Sequence, residues 1–212
     1  MEGEDDFSLA GVCKLTFEAF FGLFVFAFVT SITPGPNNLM LMASGVNFGF
    51  RRTIPHMLGI GVGFLTLLLG VGLGLGAALT AFPALHLALQ VAGGVYLLYL
   101  AWRIASTRSL GDGASASTRP MTLLEAAAFQ WINPKAWVMA LTGIAVYSSP
   151  ESPFLSVVLV SVAFAVVNLP CVSSWAAFGV ALRSFLADAT RLKWFNIAMG
   201  LALAASLWPM LR

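Results

Sequence analysis

The sequence predicts an all-α membrane protein: six transmembrane helices in two inverted three-helix repeats, with helices one and four broken. Three observations lead there. Of the 212 residues, 59% are hydrophobic and only 9% charged, with a mean hydropathy of +0.89, whereas soluble domains carry about a quarter of charged residues. Six apolar runs follow one another, most of them near or above the roughly 20 residues that a membrane-spanning helix needs. Two of these runs, the first and the fourth, are interrupted by proline at matching places, Pro34 and Pro134, 100 residues apart.

In chain order, residues 1–14 form an N-terminal tail that opens with Glu2, Glu4, Asp5 and Asp6. A signal peptide is basic there, so no cleaved leader is expected. The first apolar run, Leu15 to Phe48, covers 34 residues, or about 51 Å of helix. That is too long for one straight span and fits two half-helices around Pro34-Gly35-Pro36. Each proline lacks an N–H and clashes with the carbonyl four residues earlier. The second run, Pro55 to Thr80, carries glycines four apart, Gly59 with Gly63 and Gly70 with Gly74. This spacing lets another helix backbone come close. Packing within the bundle is the expected use, and a homodimer is the alternative. The third run, Ala84 to Ile104, ends in Trp102-Arg103, an interfacial anchor.

Residues 105–120 are small, polar and poor in apolar side chains, and read as the linker between a first repeat (15–104) and a second (121–212). The fourth run, Thr122 to Tyr147, has Pro134 at its thirteenth position, near the membrane midplane. The fifth runs from Phe154 to Leu182 with an expected kink at Asn168-Leu169-Pro170, and the sixth from Trp194 to Leu211. Gly93-Gly94…Trp102 in the third run aligns with Met199-Gly200…Trp208 in the sixth. An odd number of helices per repeat makes the second copy enter from the opposite side. Inverted repeats with broken helices are the plan of secondary transporters, with the site at the repeat interface.

Charge sets the expected orientation. Arg51, Arg52, Arg103, Arg108, Arg119, Arg183, Arg191 and Lys193 fall on one side; only Lys14 and Arg212 fall on the other. By the positive-inside rule the eight are cytoplasmic, the linker with them, and both termini are outside.

Lys135 is the only charged residue deep in an apolar run. It lies about 15 Å from either interface, too far to snorkel, and placing it there costs about 2.5–3.5 kcal/mol. Pro134 suits the first turn of a helix, so the second half of helix four should begin at Asn133-Pro134-Lys135. Its free N–H groups, its dipole and the ammonium together make an anion site. Pro36-Asn37-Asn38 should start the second half of helix one in the same way. Carbonyls before the breaks, those of Thr30, Ile32 and Gln130, are expected to lose their usual partners and to accept from an ammonium or a polar substrate. The expected substrate contacts are therefore Pro34, Gly35, Pro36, Asn37 and Asn38 on one wall and Asn133, Pro134 and Lys135 on the other. The asparagines serve equally as helix caps. Gln130 and Trp131 are either pocket or packing.

A zwitterion fits positive helix ends opposite free carbonyls. If protons couple to transport, Glu125 and Lys135 are the candidates, Glu125 lying near the cytoplasmic interface. Net charge is +2, and no nucleic-acid partner, metal or cofactor is expected; the partners are a small-molecule substrate and the lipid bilayer. No Ser-His-Asp set, phosphate loop or metal cluster marks an enzyme. An inorganic-ion exporter would need carboxylate, His or thiolate ligands at the breaks; the other alternative is a membrane scaffold or thiol-redox carrier, whose redox form would need paired cysteines where the chain has the isolated Cys13 and Cys171.

Ser31-Ile32-Thr33-Pro34-Gly35-Pro36-Asn37-Asn38, the glycine-rich Leu58-Gly59-Ile60-Gly61, Gly93-Gly94-Val95-Tyr96-Leu97-Leu98-Tyr99-Leu100 and Asn133-Pro134-Lys135-Ala136 resemble the LysE/RhtB family of amino-acid exporters. The resemblance runs from Leu15 to Leu211. It implies efflux of amino acids or their derivatives across a bacterial inner membrane, driven by the proton gradient. Lysine exporters of that family carry acidic residues within their spans. This chain has none clearly placed there, so a neutral substrate is expected.

Overall fold

Four of the helices begin on a proline: Pro36, Pro83, Pro134 and Pro153 each occupy a first helical position, where the missing N–H costs nothing. The structure is a computed structural model and describes residues 17–110 and 119–208; the tail and the middle of the linker lie outside the described residues. The helices are α1 (Phe17–Ile32), α2 (Pro36–Phe48), α3 (Phe50–Gly70), α4 (Gly76–Ala81), α5 (Pro83–Ser106), α6 (Leu123–Gln130), α7 (Pro134–Tyr147), α8 (Pro153–Leu182) and α9 (Ala189–Ala205). Among the described residues there is no strand.

The first break is as expected, with α1 and α2 meeting at a bend of 55°. The second lies between α6 and α7, over residues 131–133. Three helical stretches are long and apolar enough to cross a membrane, Phe50–Leu75, Leu87–Ser106 and Pro153–Leu182, and the bent pair α1–α2 makes a fourth. The expected fourth and sixth spans are shorter: α6 and α7 have 8 and 14 residues, and α9 has 17.

Three boundaries differ from the sequence expectation. α3 starts before Pro55, because Gly49, at φ 80°, makes the turn out of α2 by itself. Arg51 and Arg52 therefore sit in the first turn of α3. The second run is not one smooth helix: a π-helical turn over Val71–Leu75 and Gly74 at φ 105° separate α3 from α4, a conformation that glycine alone adopts cheaply. α8, by contrast, continues through Pro170 without interruption. In membrane helices neighbouring groups re-satisfy the backbone that a proline frees.

Glycines set the packing distances. A methyl group on Gly45 of α2 would stand 2.2 Å from the Ala176 carbonyl oxygen of α8, and one on Gly179 of α8 2.2 Å from that of Met42 in α2. On Gly59 and Gly63 of α3 it would meet the carbonyl oxygens of Leu123 (2.3 Å) and Ala127 (2.4 Å) in α6. These contacts put the Gly59/Gly63 pair inside the bundle. Between the helices lie two apolar clusters. One gathers Leu41, Ile60, Leu97, Phe129, Val172 and Leu203; the other gathers Leu23, Phe64, Leu67, Ala140 and Phe164. Outside them Phe21, Phe28, Leu73, Val95, Leu98 and Trp102 are exposed, as on a surface that faces lipid tails.

Candidate functional site

The two breaks meet. Between them lies a cleft of about 360 Å³, counting its opening, lined by Thr30, Ser31, Gly35, Asn37, Asn38, Ile60, Phe64, Gln130, Asn133, Lys135, Ala136, Met139, Asn168 and Val172. Of the eight residues that the sequence nominated for substrate contact, Gly35, Asn37, Asn38, Asn133 and Lys135 line it directly. Pro34, Pro36 and Pro134 shape its walls by ending and starting the helices. Glu125 does not line it.

Lys135 reaches across to the other break. Its Nζ donates to the Thr33 carbonyl (2.7 Å), to Thr33 Oγ1 (3.0 Å) and to the Pro34 carbonyl (3.4 Å). These oxygens lie at the C-terminal, negative end of α1, where a cation is stabilised. The lysine stem lies on Gly35, where an added methyl group would come within 2.7 Å of Cδ and 3.1 Å of Nζ. The Gly35 backbone is extended (φ −178°, ψ 178°), a conformation open to any residue. Here glycine serves the lysine's space.

A second link is reciprocal. Asn37 Nδ2 donates to Gln130 Oε1 (2.8 Å), and Gln130 Nε2 donates to Asn37 Oδ1 (3.1 Å) and to the Ala126 carbonyl (2.9 Å). Gln130 is completely buried. Asn38 caps backwards, donating through Nδ2 to the carbonyls of Ser31 and Thr33, both at 2.8 Å. Asn133 is the N-cap of α7 and accepts from the Lys135 N–H (3.2 Å). One of the three asparagines thus crosses the cleft while two cap or brace the breaks.

The carbonyls expected to be free are engaged by the protein itself. Thr30 O accepts from Thr33 Oγ1 (3.0 Å), Ile32 O from Trp175 Nε1 (3.0 Å), and Gln130 O from the Asn133 N–H (3.3 Å). A broken helix inside an apolar bundle leaves its carbonyls no water, so side chains from α7 and α8 fold onto them. Any ligand must therefore trade its own hydrogen bonds for bonds already made.

α8 supplies a residue that the sequence reading assigned to a kink. Asn168 is buried, donates to Ser31 Oγ (3.2 Å) and leaves its Oδ1 buried without a partner, in the cleft wall. A polar side chain near the middle of a 30-residue apolar helix was the signal. Trp131, by contrast, packs edge-on to Trp137 (6.4 Å, 81°) and accepts that indole's N–H on its carbonyl (2.8 Å). Glu125 sits one turn into α6. It closes a capping box with Thr122 and accepts from Arg119 at 2.5 and 2.8 Å.

A family model described as LysE type translocator matches residues 28–205, a stretch that includes both breaks. Relatives in Escherichia coli (strain K12) and Shigella flexneri serotype 5b (strain 8401) are each described as cysteine/O-acetylserine efflux protein. The chain is 33% identical to each over 155 residues, covering 73% of its own length and 78% of theirs. No solved structure matches.

Proposed function

The chain belongs to the family of LysE type translocators, a family of transporters and not enzymes, and from that premise we propose that it exports a small neutral amino acid, or a derivative of one, from the cytoplasm. The observation that carries this reading is the Lys135 ammonium seated on the carbonyls of Thr33 and Pro34, one broken helix closing on the other. In the cycle that we propose, the substrate carboxylate draws Lys135 off those carbonyls towards the N-terminus of α7. The substrate amine takes the ammonium's place on the oxygens of Thr33 and on Asn168 Oδ1. Every bond lost in the resting cleft is replaced by one of the same kind.

The substrate class follows from what lines the cleft. Asn37, Asn38, Gln130, Asn133 and Asn168 are neutral, Lys135 is the one charge, and no carboxylate is among the lining residues. A second positive charge on the substrate would go unpaired there, which disfavours lysine or arginine. The efflux of cysteine and O-acetylserine named for the relatives fits this neutral lining.

Lys135 is also the titratable group among the lining residues, which makes it the candidate for proton coupling. Glu125 is tied to Arg119 and to its own helix start, and we assign it a structural role. The inverted six-span plan is supported by the way the helices exchange partners. α1 and α2 pack on α8, α6 and α7 pack on α3, and α5 packs on α9, its counterpart in the other half. We place the pore in the bacterial inner membrane with the basic loops cytoplasmic and both termini outside.

Uptake into everted membrane vesicles tests the reading. L-Cysteine and O-acetylserine are expected to accumulate when a pH gradient, acid inside, is imposed, and L-lysine is not. Lysine accumulation would overturn the neutral-substrate assignment, and uptake indifferent to the gradient would overturn the coupling. A reporter fused after Arg212 is expected to be active on the outer side only; cytoplasmic activity would contradict the six-span topology. Gly35→Ala is expected to insert normally but to push Lys135 off its seat. Hydrogen bonds to a charged group are worth about 1.5–3 kcal/mol and each 1.4 kcal/mol is about tenfold in rate. Transport should therefore fall about tenfold, and a wild-type rate would show that the seat is dispensable.

A further inference from the structure

The cleft lies on the seam between the two apolar clusters, and each cluster sends residues into its lining. Ile60 and Val172 come from the cluster around Phe129; Phe64, Ala136 and Met139 come from the cluster around Phe164. α3 begins beside Arg51 and Arg52 and reaches Ile60 one turn before Phe64, while α8 passes Asn168 one turn before Val172 on its way to Arg183. Ile60 and Val172 therefore close the cleft towards these basic residues. Phe64 and Met139 close it on the other side. Met139 follows Lys135 by one turn of α7, about 6 Å.

The wall on that other side is rigid in one place and adaptable in another. The Phe64 ring stands edge-on to Phe164 (5.4 Å, 85°), and Phe164 stands edge-on to Phe26 (5.9 Å, 87°). Phe164 is completely buried and lies on Gly143 of α7, where an added methyl group would come within 2.8 Å of Cε2 and 3.3 Å of Cζ. In a close-packed interior a ring braced in this way does not yield, so Phe64 is a fixed wall. Met139 shares the buried face of α7 with Ala136, Ala140 and Gly143. Its unbranched thioether chain fits itself to what it touches.

With the carboxylate at the N-terminus of α7 and the amine on Thr33 and Asn168, a substrate side chain starts beside Ala136. Alanine leaves it space there, and Met139 and Phe64 end that space. We propose that Phe64 and Met139 form the side-chain subsite and set its size limit: short side chains are accepted, and a branched four-carbon one, as in leucine, is refused. This rests on the binding to the cleft proposed above and names the residues that keep the substrate small. One methylene in an apolar pocket changes discrimination by about 10–200-fold, so the limit is measurable.

Competition tests it. Uptake of radiolabelled, reduced L-cysteine into everted vesicles is measured against unlabelled L-alanine and L-leucine. For wild type, half-inhibition by L-leucine is expected to need at least about ten times the concentration that L-alanine needs. Met139→Ala and Phe64→Leu are each expected to bring that ratio down to about one. A merely structural defect would lower uptake without moving the ratio. Should one variant fail to insert, the other gives the reading. A wild-type ratio near one, or a ratio unmoved in the variants that insert, would overturn the size limit while cysteine uptake leaves the cleft assignment standing. A larger shift in Ile60→Ala than in either variant would put the side chain against the other cluster and overturn the proposal too. Absence of cysteine uptake by wild type would instead sink the cleft assignment, and the subsite with it.

Discussion

Lys135→Ala is expected to lower export at least about a hundredfold while the protein still inserts and remains folded. The side chain makes three contacts with the opposite break, at 2.7, 3.0 and 3.4 Å. A charge-assisted hydrogen bond contributes about 1.5–3 kcal/mol, so losing two of them removes more than the roughly 2.7 kcal/mol that corresponds to a hundredfold. Folding should survive, because Ala at this position leaves the Asn133 cap and the proline start of α7 intact. Flux in proteoliposomes, compared with the amount of protein in the bilayer, separates the two effects. Lys135→Arg should not rescue: the guanidinium is larger and planar, and Gly35 leaves room for a slender stem only. Normal flux in Lys135→Ala would remove the central element of the proposed cycle.

Gly45→Val is expected to abolish the folded protein. Even its first carbon would lie 2.2 Å from the Ala176 carbonyl oxygen and 3.2 Å from the Val180 nitrogen. Both atoms are backbone of α8, which cannot swing aside as a side chain can. Overpacking of a tight contact costs about 1–3 kcal/mol or more. Here it also separates α2 from α8, and α8 brings Asn168 and Trp175 to the first break. Gly61→Ala is the matched control. Nothing lies within 4 Å of a methyl group at that position, and alanine is the better helix former by about 1 kcal/mol. Fluorescence-detected size exclusion across a temperature series should show Gly45→Val aggregated and Gly61→Ala equal to wild type or better. A monodisperse, wild-type melting profile for Gly45→Val would mean that α2 and α8 do not pack as described.

Much of the site could be read from the sequence because proline acts locally. Pro34, Pro36 and Pro134 break or start a helix wherever they stand, since the missing N–H and the ring clash belong to the residue itself. The same holds for Asn133, whose capping role needs only Lys135, two residues on. What was not legible was which partner each freed group would choose. Lys135 pairs with Thr33 across 102 residues, Asn37 with Gln130 across 93 and Asn168 with Ser31 across 137. Asn168 and Pro170 looked like an interruption, and the structure continues α8 through them and places the asparagine in the cleft wall.

By itself the sequence determined that the chain is helical and apolar enough for a membrane, where its first and fourth apolar runs break, and that its basic residues cluster between the apolar runs. These are properties of single residues or of short windows, and they hold whatever the rest of the chain does. The tertiary structure alone decided that the two breaks face each other, that the carbonyls freed at one are taken by a lysine and a tryptophan from elsewhere in the chain and by Asn38 beside the break, and that Gly35 leaves room for Lys135. In a low-dielectric bundle a freed backbone group must find a partner, and only the packing of distant helices determines which one comes within reach.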